Sequence, residues 1–291
     1  MRISAFLTAV SALALLGCST HTPSVSAPLA SVDQSPAAMS AAQIVTLPVQ
    51  GRDVLMSIYR PVTAPKGVLM LSHGAGGSPE MMRPLIDQLR RAGFAVVAPL
   101  HRDSMEYAPA ERDDLQTAFG TRIADLQAAS ALAAQTFPGL PAGAVGYSYG
   151  SLIALIGGGA LEGMVGARVP AIKAVATFSS PGMIPGLVTP QSLQTVAVPT
   201  LMVTGTADVV PGFIPDAAQH VQYFENAPIG NRTLVLVDGA THDFVYGKET
   251  GYDAATDLAT EFLTAHVLGN ASALQSLNGR TDAGPVKIRR R

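Results

Sequence analysis

The sequence contains no tryptophan, aromatic residues make up only 5% of it, and Cys18 is its single cysteine. Proteins that hold bases or sugars by stacking need aromatic side chains, so this chain has little material for such a surface. A single cysteine cannot form a disulfide within the chain. The formal net charge of −2, with no basic cluster before the last few residues, argues against nucleic-acid binding.

The first 17 residues have the pattern of a secretory signal peptide. An apolar run from Ile3 to Leu16 is shorter than the roughly 20 residues that a membrane-spanning helix needs. The segment Leu15-Leu16-Gly17-Cys18 resembles the bacterial lipobox, in which cleavage leaves an acylated cysteine at the new N-terminus. An ordinary signal peptide with an incidental cysteine is the alternative.

The resulting expectation is a protein anchored in a bacterial cell envelope by membrane lipid on Cys18. Residues 18–42 are rich in Ser, Thr, Pro and Ala and are predicted to be a flexible tether to a folded domain at 43–270. Ser19, rather than an aspartate, follows the cysteine, which by family analogy favours the outer membrane. Residues 271–291 end in a basic run and are predicted to be a disordered, cationic tail.

Short apolar runs alternate with helical segments between residues 44 and 268. Runs such as Gly67–Ser72 and Phe94–Pro99 are typical of strands that are buried on both faces. The alternation predicts an α/β fold with a mostly parallel, eight-stranded-type sheet and helices on both faces. The segment 179–199 leaves room for at most a small cap. Helices are expected at 78–92, 110–137 with a break near Gly120, 216–227 and 250–268.

A glycine-flanked serine, Gly146-Tyr147-Ser148-Tyr149-Gly150, lies between a strand-like run and a small-residue helical stretch. This is the pattern of a nucleophile elbow, which holds a serine in a tight turn with its hydroxyl exposed. Glycine is needed at both ends because the turn packs closely against the neighbouring strand and helix. Ser148 is therefore the predicted nucleophile, and a chance serine in a glycine-rich loop is the alternative.

A serine hydroxyl needs a general base, and three histidines follow Ser148: His220, His242 and His266. His220 and His266 fall within predicted helices, where a packed or solvated histidine is the simpler interpretation. His242 lies in the loop after the last predicted strand, where active-site loops gather. His242 is therefore the predicted base.

The acid that orients this base is predicted to be Asp208, in the loop after the preceding strand. Asp238 and Asp243 are rivals, but they share a loop with His242 and have little freedom to reach its far nitrogen. The order serine, acid, histidine along the chain is the one expected for a nucleophile elbow.

Backbone N–H groups are predicted to stabilise the oxyanion. One donor is Tyr149, directly after the nucleophile, and the other is Ala75 in the loop 73–77, with Gly74 as the alternative. His73 is predicted to brace this loop rather than to act as a second base.

Two further motifs suggest other chemistry. Gly74-Ala75-Gly76 with Asp103 resembles part of a dinucleotide fingerprint, but Pro79 occupies the third glycine position. His101-Arg102-Asp103 resembles a kinase catalytic loop, yet no ATP-binding motif accompanies it. The histidines are scattered, without the spacing of metal ligands. The sequence therefore predicts neither a cofactor nor a metal.

Taken together, the motifs from His73 to His242 resemble the α/β-hydrolase superfamily over residues 44–268. The segments Leu71-Ser72-His73-Gly74 and His101-Arg102-Asp103 are similar to the dienelactone-hydrolase and platelet-activating-factor-acetylhydrolase branch. Dienelactone hydrolases proper carry a cysteine nucleophile, so their particular substrate is not implied. Secreted polyester hydrolases share the architecture but usually have tryptophan in the cleft, which this chain lacks.

The resemblance implies a carboxylic-ester hydrolase that acts on a small-molecule ester through Ser148, His242 and Asp208. Amide or thioester hydrolysis and acyl transfer on the same three residues remain alternatives. A catalytically silent envelope lipoprotein that keeps the fold is a further alternative.

Overall fold

One sheet runs through residues 41–291, the part of the chain that the computed structural model describes. Its nine strands are β1 (Gln43–Val49), β2 (Arg52–Tyr59), β3 (Gly67–Ser72), β4 (Phe94–Pro99), β5 (Ala142–Tyr147), β6 (Ile172–Phe178), β7 (Thr200–Gly205), β8 (Arg232–Val237) and β9 (Val286–Arg290). They lie in the order β1-β2-β4-β3-β5-β6-β7-β8-β9. The strands from β4 to β8 in this order are parallel, whereas β1, β2 and β9 are antiparallel to their neighbours.

Helices cover both faces of the sheet, because successive residues of its central strands point to opposite sides. In β3, Val68 and Met70 pack in one apolar cluster, and Leu69 and Leu71 pack in the other. The helices are α1 (Arg83–Arg91), α2 (Leu115–Thr136), α3 (Tyr149–Gly157), α4 (Glu162–Val165), α5 (Pro190–Leu193), α6 (Ala218–Glu225), α7 (Tyr252–His266) and α8 (Ala271–Gly279). The first cluster contains side chains of α2, α3 and α6, and the second contains those of α1, α7 and α8.

Two of the expected helices differ in detail from the sequence prediction. The segment expected as a helix from residue 78 begins with a short 3-10 helix, Pro79–Met82, and Ser78 makes no side-chain cap. Helix α2 starts at Leu115, where the Asp114 carboxylate accepts a hydrogen bond from the Thr117 N–H at 2.7 Å. It continues through Gly120 without a break, since helical hydrogen bonds outweigh the modest cost of one glycine.

The prediction of a disordered tail at 271–291 is wrong. Residues of this segment form α8 and the edge strand β9, which pairs with β8. Val286 and Ile288 alternate with basic residues, and Val286 is buried in the apolar cluster beneath the sheet. This alternation is typical of an edge strand with one apolar face. The sequence prediction missed it because a run of arginines at the end of a chain is also typical of a solvated tail.

The predicted α/β fold with a mostly parallel sheet and helices on both faces is confirmed, although the sheet has nine strands, and residues 41–291 contain no large cap. Between β6 and β7 the chain forms only loops and the four-residue helix α5. Among residues 41–291, no helix is both long and apolar enough to span a membrane. The predicted signal peptide, Cys18 and nearly all of the predicted tether lie outside the described residues.

Candidate active site

Ser148 occupies a strained turn between β5 and α3. Its φ of 51° and ψ of −120° are angles that a non-glycine residue rarely adopts. A Cβ atom on Gly146 would lie 2.2 Å from the Gly150 carbonyl oxygen, and one on Gly150 would lie 1.9 Å from that of Ser72. Both positions therefore exclude any side chain, and this close packing holds the serine in the turn.

The structure brings the side chains of Ser148, His242 and Asp208 together at one edge of the sheet. The His242 Nε2 atom lies 2.9 Å from Ser148 Oγ, and the His242 Nδ1 atom lies 2.7 Å from Asp208 Oδ1. The three residues follow β5, β8 and β7, which are parallel strands, so their loops emerge on the same side. The Tyr147 hydroxyl donates to the His242 carbonyl oxygen at 3.0 Å and so helps to fix the histidine loop.

Asp208 is completely buried and its carboxylate is held by several donors. Ser179 Oγ and Thr204 Oγ1 donate to Oδ2 at 2.6 and 2.7 Å, while His220 Nε2 and His242 Nδ1 lie 3.0 and 2.7 Å from Oδ1. Burial alone would raise the pKa of Asp208, but the hydrogen bonds from His220, His242 and Ser179 outweigh it and hold the pKa below its usual range. The carboxylate is therefore charged beside the imidazole of His242.

The two rival carboxylates do not contact His242. Asp238 is exposed and accepts a hydrogen bond from Thr206 Oγ1 at 3.0 Å. Asp243 is also exposed, and its backbone N–H donates to Thr241. Asp208 is the carboxylate within hydrogen-bonding distance of the base.

His220 is a residue of this site that the sequence prediction missed. The sequence predicts a packed or solvated helical histidine; His220 is packed, with 2% exposure, and in addition both of its ring nitrogens have partners. The backbone N–H of Ser180 donates to Nδ1 at 3.0 Å, so Nδ1 carries the lone pair. The proton must then be on Nε2, which donates to the Asp208 backbone carbonyl oxygen at 3.0 Å and lies at the same distance from the carboxylate oxygen Oδ1. No sequence motif links His220 to Asp208, because only the packing of α6 brings them together.

The same three residues, Asp208, His220 and His242, form a group whose ligand atoms lie within 4.8 Å of one another. A metal would need a free lone pair on each ring nitrogen that faces it. The Nε2 proton of His220 occupies that position, because its Nδ1 atom is already the acceptor for Ser180. The donor set therefore fits a hydrogen-bonded carboxylate and does not fit a metal centre.

The two predicted oxyanion donors lie beside the nucleophile. A Cβ on Gly74 would be 3.4 Å from Ser148 Cβ, which places the loop 73–77 next to the elbow. Ala75 is exposed, and within residues 41–291 its N–H has no hydrogen-bond acceptor. Tyr149 begins α3, so its N–H has no acceptor within the helix. Both N–H groups thus have no acceptor in the described part of the chain, and both belong to segments that adjoin Ser148.

His73 is fully buried and braces the loop, as its sequence context indicates. Its Nε2 atom accepts the backbone N–H of His101 at 3.0 Å, so Nδ1 carries the proton and donates to the Gly74 carbonyl oxygen at 2.7 Å. Burial, together with the nearby Arg122 cation, lowers the pKa of His73 well below the usual histidine value. His73 thus has no lone pair free for proton transfer.

A second Ser-His-Asp arrangement lies in the interior. Ser72 Oγ is 2.8 Å from His101 Nε2, and His101 Nδ1 is 3.0 Å from Asp125 Oδ2. All three side chains have no solvent exposure, so no substrate can reach them. Burial raises the pKa of Asp125 to about 6, and burial likewise lowers that of His101. The arrangement connects β3, the loop after β4 and helix α2.

The dinucleotide interpretation also lacks its acidic ligand. Asp103 is buried and both of its oxygens accept hydrogen bonds from Arg122 at 2.8 Å. A carboxylate that is held in this way is not available to a ribose hydroxyl.

Apolar side chains stand exposed on the loops beside the triad. Met105, in the loop after β4, is 66% exposed, and its N–H donates to the Gly76 carbonyl oxygen at 2.9 Å. Val209 and Phe213, in the loop that follows Asp208, are 45% and 68% exposed.

No protein-family model matches this chain, and no curated protein matches it either. Solved structures do match. A cold-adapted esterase from an Arctic intertidal metagenomic library has 16% sequence identity and a TM-score of 0.62, covering 78% of this chain and 94% of that chain. A thermophilic esterase from the planctomycete Thermogutta terrifontis has 18% identity and a TM-score of 0.61, covering 78% and 94%. A dienelactone hydrolase from Anabaena variabilis has 22% identity and a TM-score of 0.55, covering 78% and 98%. These similarities confirm the predicted α/β-hydrolase fold.

Proposed function

We propose that this chain is a serine hydrolase that cleaves carboxylic esters. The observation that carries the proposal is the hydrogen-bonded chain Ser148–His242–Asp208, with distances of 2.9 and 2.7 Å, near two backbone N–H groups that have no acceptor within residues 41–291. Nucleophile, base, orienting acid and oxyanion donors are the parts that acyl transfer requires. Several solved structures that share the fold are named esterases, which supports ester chemistry in particular.

In the first half of the reaction, Ser148 Oγ attacks the ester carbonyl carbon as His242 Nε2 takes its proton. The π electrons of the carbonyl move to its oxygen, and the N–H groups of Ala75 and Tyr149 donate to that oxyanion. Asp208 keeps the imidazole in the tautomer whose Nε2 is free, and its charge stabilises the imidazolium. When the intermediate collapses, the bond to the leaving alcohol breaks and His242 protonates the alcohol.

In the second half, a water molecule replaces the alcohol. His242 takes a proton from this water as its oxygen attacks the acyl carbon of the Ser148 ester. The second tetrahedral intermediate releases the carboxylic acid, and His242 returns the proton to Ser148 Oγ. Every proton thus passes through His242 Nε2, the atom 2.9 Å from the nucleophile.

The test is hydrolysis of short-chain nitrophenyl esters by the purified folded chain and by Ser148→Ala. Loss of a nucleophile of this kind typically lowers turnover by about 10⁴–10⁶-fold. Ser276→Ala, at an exposed position on α8, is the matched control and should keep wild-type activity. Retention of more than a few per cent of activity by Ser148→Ala would contradict the proposed nucleophile.

Labelling with a fluorophosphonate probe separates this function from a silent scaffold. An active enzyme should be modified at Ser148, and an unmodified serine would favour a non-catalytic role. Amide and thioester substrates, and alcohols as acyl acceptors, should be tested in parallel, because the same triad performs those reactions. The Thermogutta terrifontis esterase has a propionate-bound structure, so short acyl chains are the first esters to try.

We also propose that the chain is anchored in the bacterial cell envelope, in the outer membrane, through an acylated Cys18. The lipobox-like segment before Cys18 and the tether-like composition of residues 18–42 support this proposal. Fractionation of cells that express Cys18→Ser is the test. Membrane partitioning equal to that of the wild type would contradict lipidation at this residue.

A further inference from the structure

Arg122 is a fully buried arginine on α2 that no sequence motif marks. Its guanidinium donates to the carbonyl oxygens of His73 and Gly74 at 2.6 and 2.9 Å. It also forms a bidentate pair with Asp103, at 2.8 Å to each carboxylate oxygen. Asp103 completes the connection, because its Oδ2 atom accepts the N–H of Gly76 at 3.1 Å. One buried ion pair therefore binds backbone groups of three residues in the loop 73–77, those of His73, Gly74 and Gly76.

These contacts determine the direction of the Ala75 N–H. In a trans peptide the C=O of one residue and the N–H of the next point in opposite directions. The Gly74 carbonyl oxygen is held by Arg122, by His73 Nδ1 at 2.7 Å and by the Gly77 N–H at 3.1 Å. With that oxygen directed into the protein, the N–H of Ala75 must point the other way, towards the exposed side of the loop.

Arg122 contacts the second oxyanion segment as well. Its guanidinium carbon lies 4.8 Å above the ring of Tyr149, in cation–π geometry. The Tyr149 hydroxyl in turn donates to the Leu115 carbonyl oxygen at the start of α2 at 2.7 Å. The residue that supplies the other N–H is therefore attached to the helix that carries Arg122. A single side chain thus contacts both segments that carry the proposed oxyanion donors.

The charge of Arg122 is largely balanced by Asp103. Burial would raise the pKa of Asp103, but the hydrogen bonds and charge of Arg122 outweigh it and lower that pKa below the usual value. A paired guanidinium exerts a smaller field on a nearby oxyanion than a free one would. Its geometry, a planar fork that meets two carbonyl oxygens and a carboxylate at once, is the property that lysine cannot reproduce.

We propose that Arg122, held by Asp103, is a positioning residue for the oxyanion hole: it fixes the peptide between Gly74 and Ala75, and the start of α3, so that both N–H groups meet the transition state. The proposal rests on the proposed hydrolase function. Misplacement of catalytic groups by about 1 Å can cost about 100-fold in rate. Because the oxyanion forms in the transition state and the tetrahedral intermediate and is absent from the bound ester, the loss should fall on kcat, with KM changed by less than about threefold.

The experiment compares Arg122→Lys and Arg122→Gln with wild type in kcat, KM and inhibition by a trifluoromethyl ketone, whose hemiketal oxyanion occupies the same hole. We expect kcat to fall about 10-fold to 100-fold and inhibitor affinity to weaken in proportion. Asp103→Asn, which keeps the size of the side chain but removes its charge, should give a smaller loss of the same kind. It also provides the test if an Arg122 variant does not fold.

Arg232→Lys is the matched control. Arg232 is likewise buried and donates to two backbone carbonyl oxygens, those of Val198 and Val196, at 2.7 and 2.9 Å, but it lies at the opposite end of the strands. Its variant should lose thermal stability without the selective loss of kcat and of inhibitor affinity.

The possible results separate the two proposals. Folded Arg122 and Asp103 variants with wild-type kcat and inhibitor affinity would overturn the positioning role alone. Equal kcat losses in the Arg122 and Arg232 variants would also overturn it, because the effect would then follow stability. A wild-type chain that neither hydrolyses esters nor reacts with a fluorophosphonate would overturn the proposed function, and the positioning role with it.

Discussion

Replacement of His220 by leucine removes from Asp208 an N–H that lies close to both its backbone carbonyl and its carboxylate, while Ser148 and His242 stay chemically unchanged. The lost contacts are the hydrogen bond of His220 Nε2 to the Asp208 carbonyl oxygen and its approach to Asp208 Oδ1, each at 3.0 Å. Hydrogen bonds to charged groups are worth about 1.5–3 kcal/mol. The donors Ser179, Thr204 and His242 remain on the carboxylate, so only part of this energy should appear in the transition state. About 1.4 kcal/mol, a 10-fold loss in kcat/KM, is the expected result.

The assay is kcat/KM on a nitrophenyl ester for His220→Leu and His220→Gln, each with a melting temperature. Glutamine keeps an N–H at the same number of bonds from Cβ as His220 Nε2, so it should retain activity within about threefold. Both variants disturb the acceptor for the Ser180 N–H, and a loss of about 1–3 kcal/mol in stability is expected from an unpaired buried donor. Thermal stability alone therefore does not identify the role of His220.

A double-mutant cycle gives the decisive comparison. If His220 acts through the Asp208 carboxylate, then His220→Leu should change kcat/KM by less than about twofold in an Asp208→Asn background. The same 10-fold loss in both backgrounds would refute the reasoning, because the two effects would then be independent. Full activity of folded His220→Leu in the wild-type background would refute it as well.

Three other predictions concern the framework of the site. Gly150→Ala places a Cβ 1.9 Å from the Ser72 carbonyl oxygen and should lower the free energy of unfolding, measured by denaturant titration, by about 3 kcal/mol or more. The control is Gly120→Ala, whose Cβ meets no neighbour and which should be neutral or stabilising. Val286→Ala should lower the free energy of unfolding by about 1–3 kcal/mol, whereas Val62→Ala, at an exposed position, should leave it almost unchanged. Equal losses in the two variants would show that β9 is not packed in solution. Asp208 has a folded-state pKa below its ordinary value of 3.8, so its stabilising contribution is complete above that value and is lost as the pH falls below it. The difference in melting temperature between wild type and Asp208→Asn should therefore shrink below about pH 4, and a constant difference down to pH 2 would contradict the lowered pKa.

Local patterns in the sequence are sufficient to predict the order of strands and helices and the three principal side chains of the candidate site. Gly146 and Gly150 predict the tight turn around Ser148, because a Cβ at either position would clash with backbone atoms and no other residue fits there. The carboxyl ends of parallel strands lie on the same side of a sheet, so Asp208 and His242, which each follow such a strand, can be assigned to that side from chain order alone. The exclusion of Asp238 and Asp243 followed from loop length, and the structure indeed holds both away from His242.

The order of residues thus predicts most of the backbone path and the side chains whose roles depend on that path. The partners of the buried polar groups, in contrast, follow from the packing of distant elements. His220 reaches Asp208 from 12 residues away, and Arg122 reaches the Gly74 carbonyl oxygen from 48 residues away; neither contact leaves a local signature. The segment 271–291 was misjudged for the same reason, since a basic strand is stable only where an open sheet edge and an apolar pocket for Val286 receive it. Burial makes unpaired polar groups costly, so the fold, and not the local pattern, selects their partners.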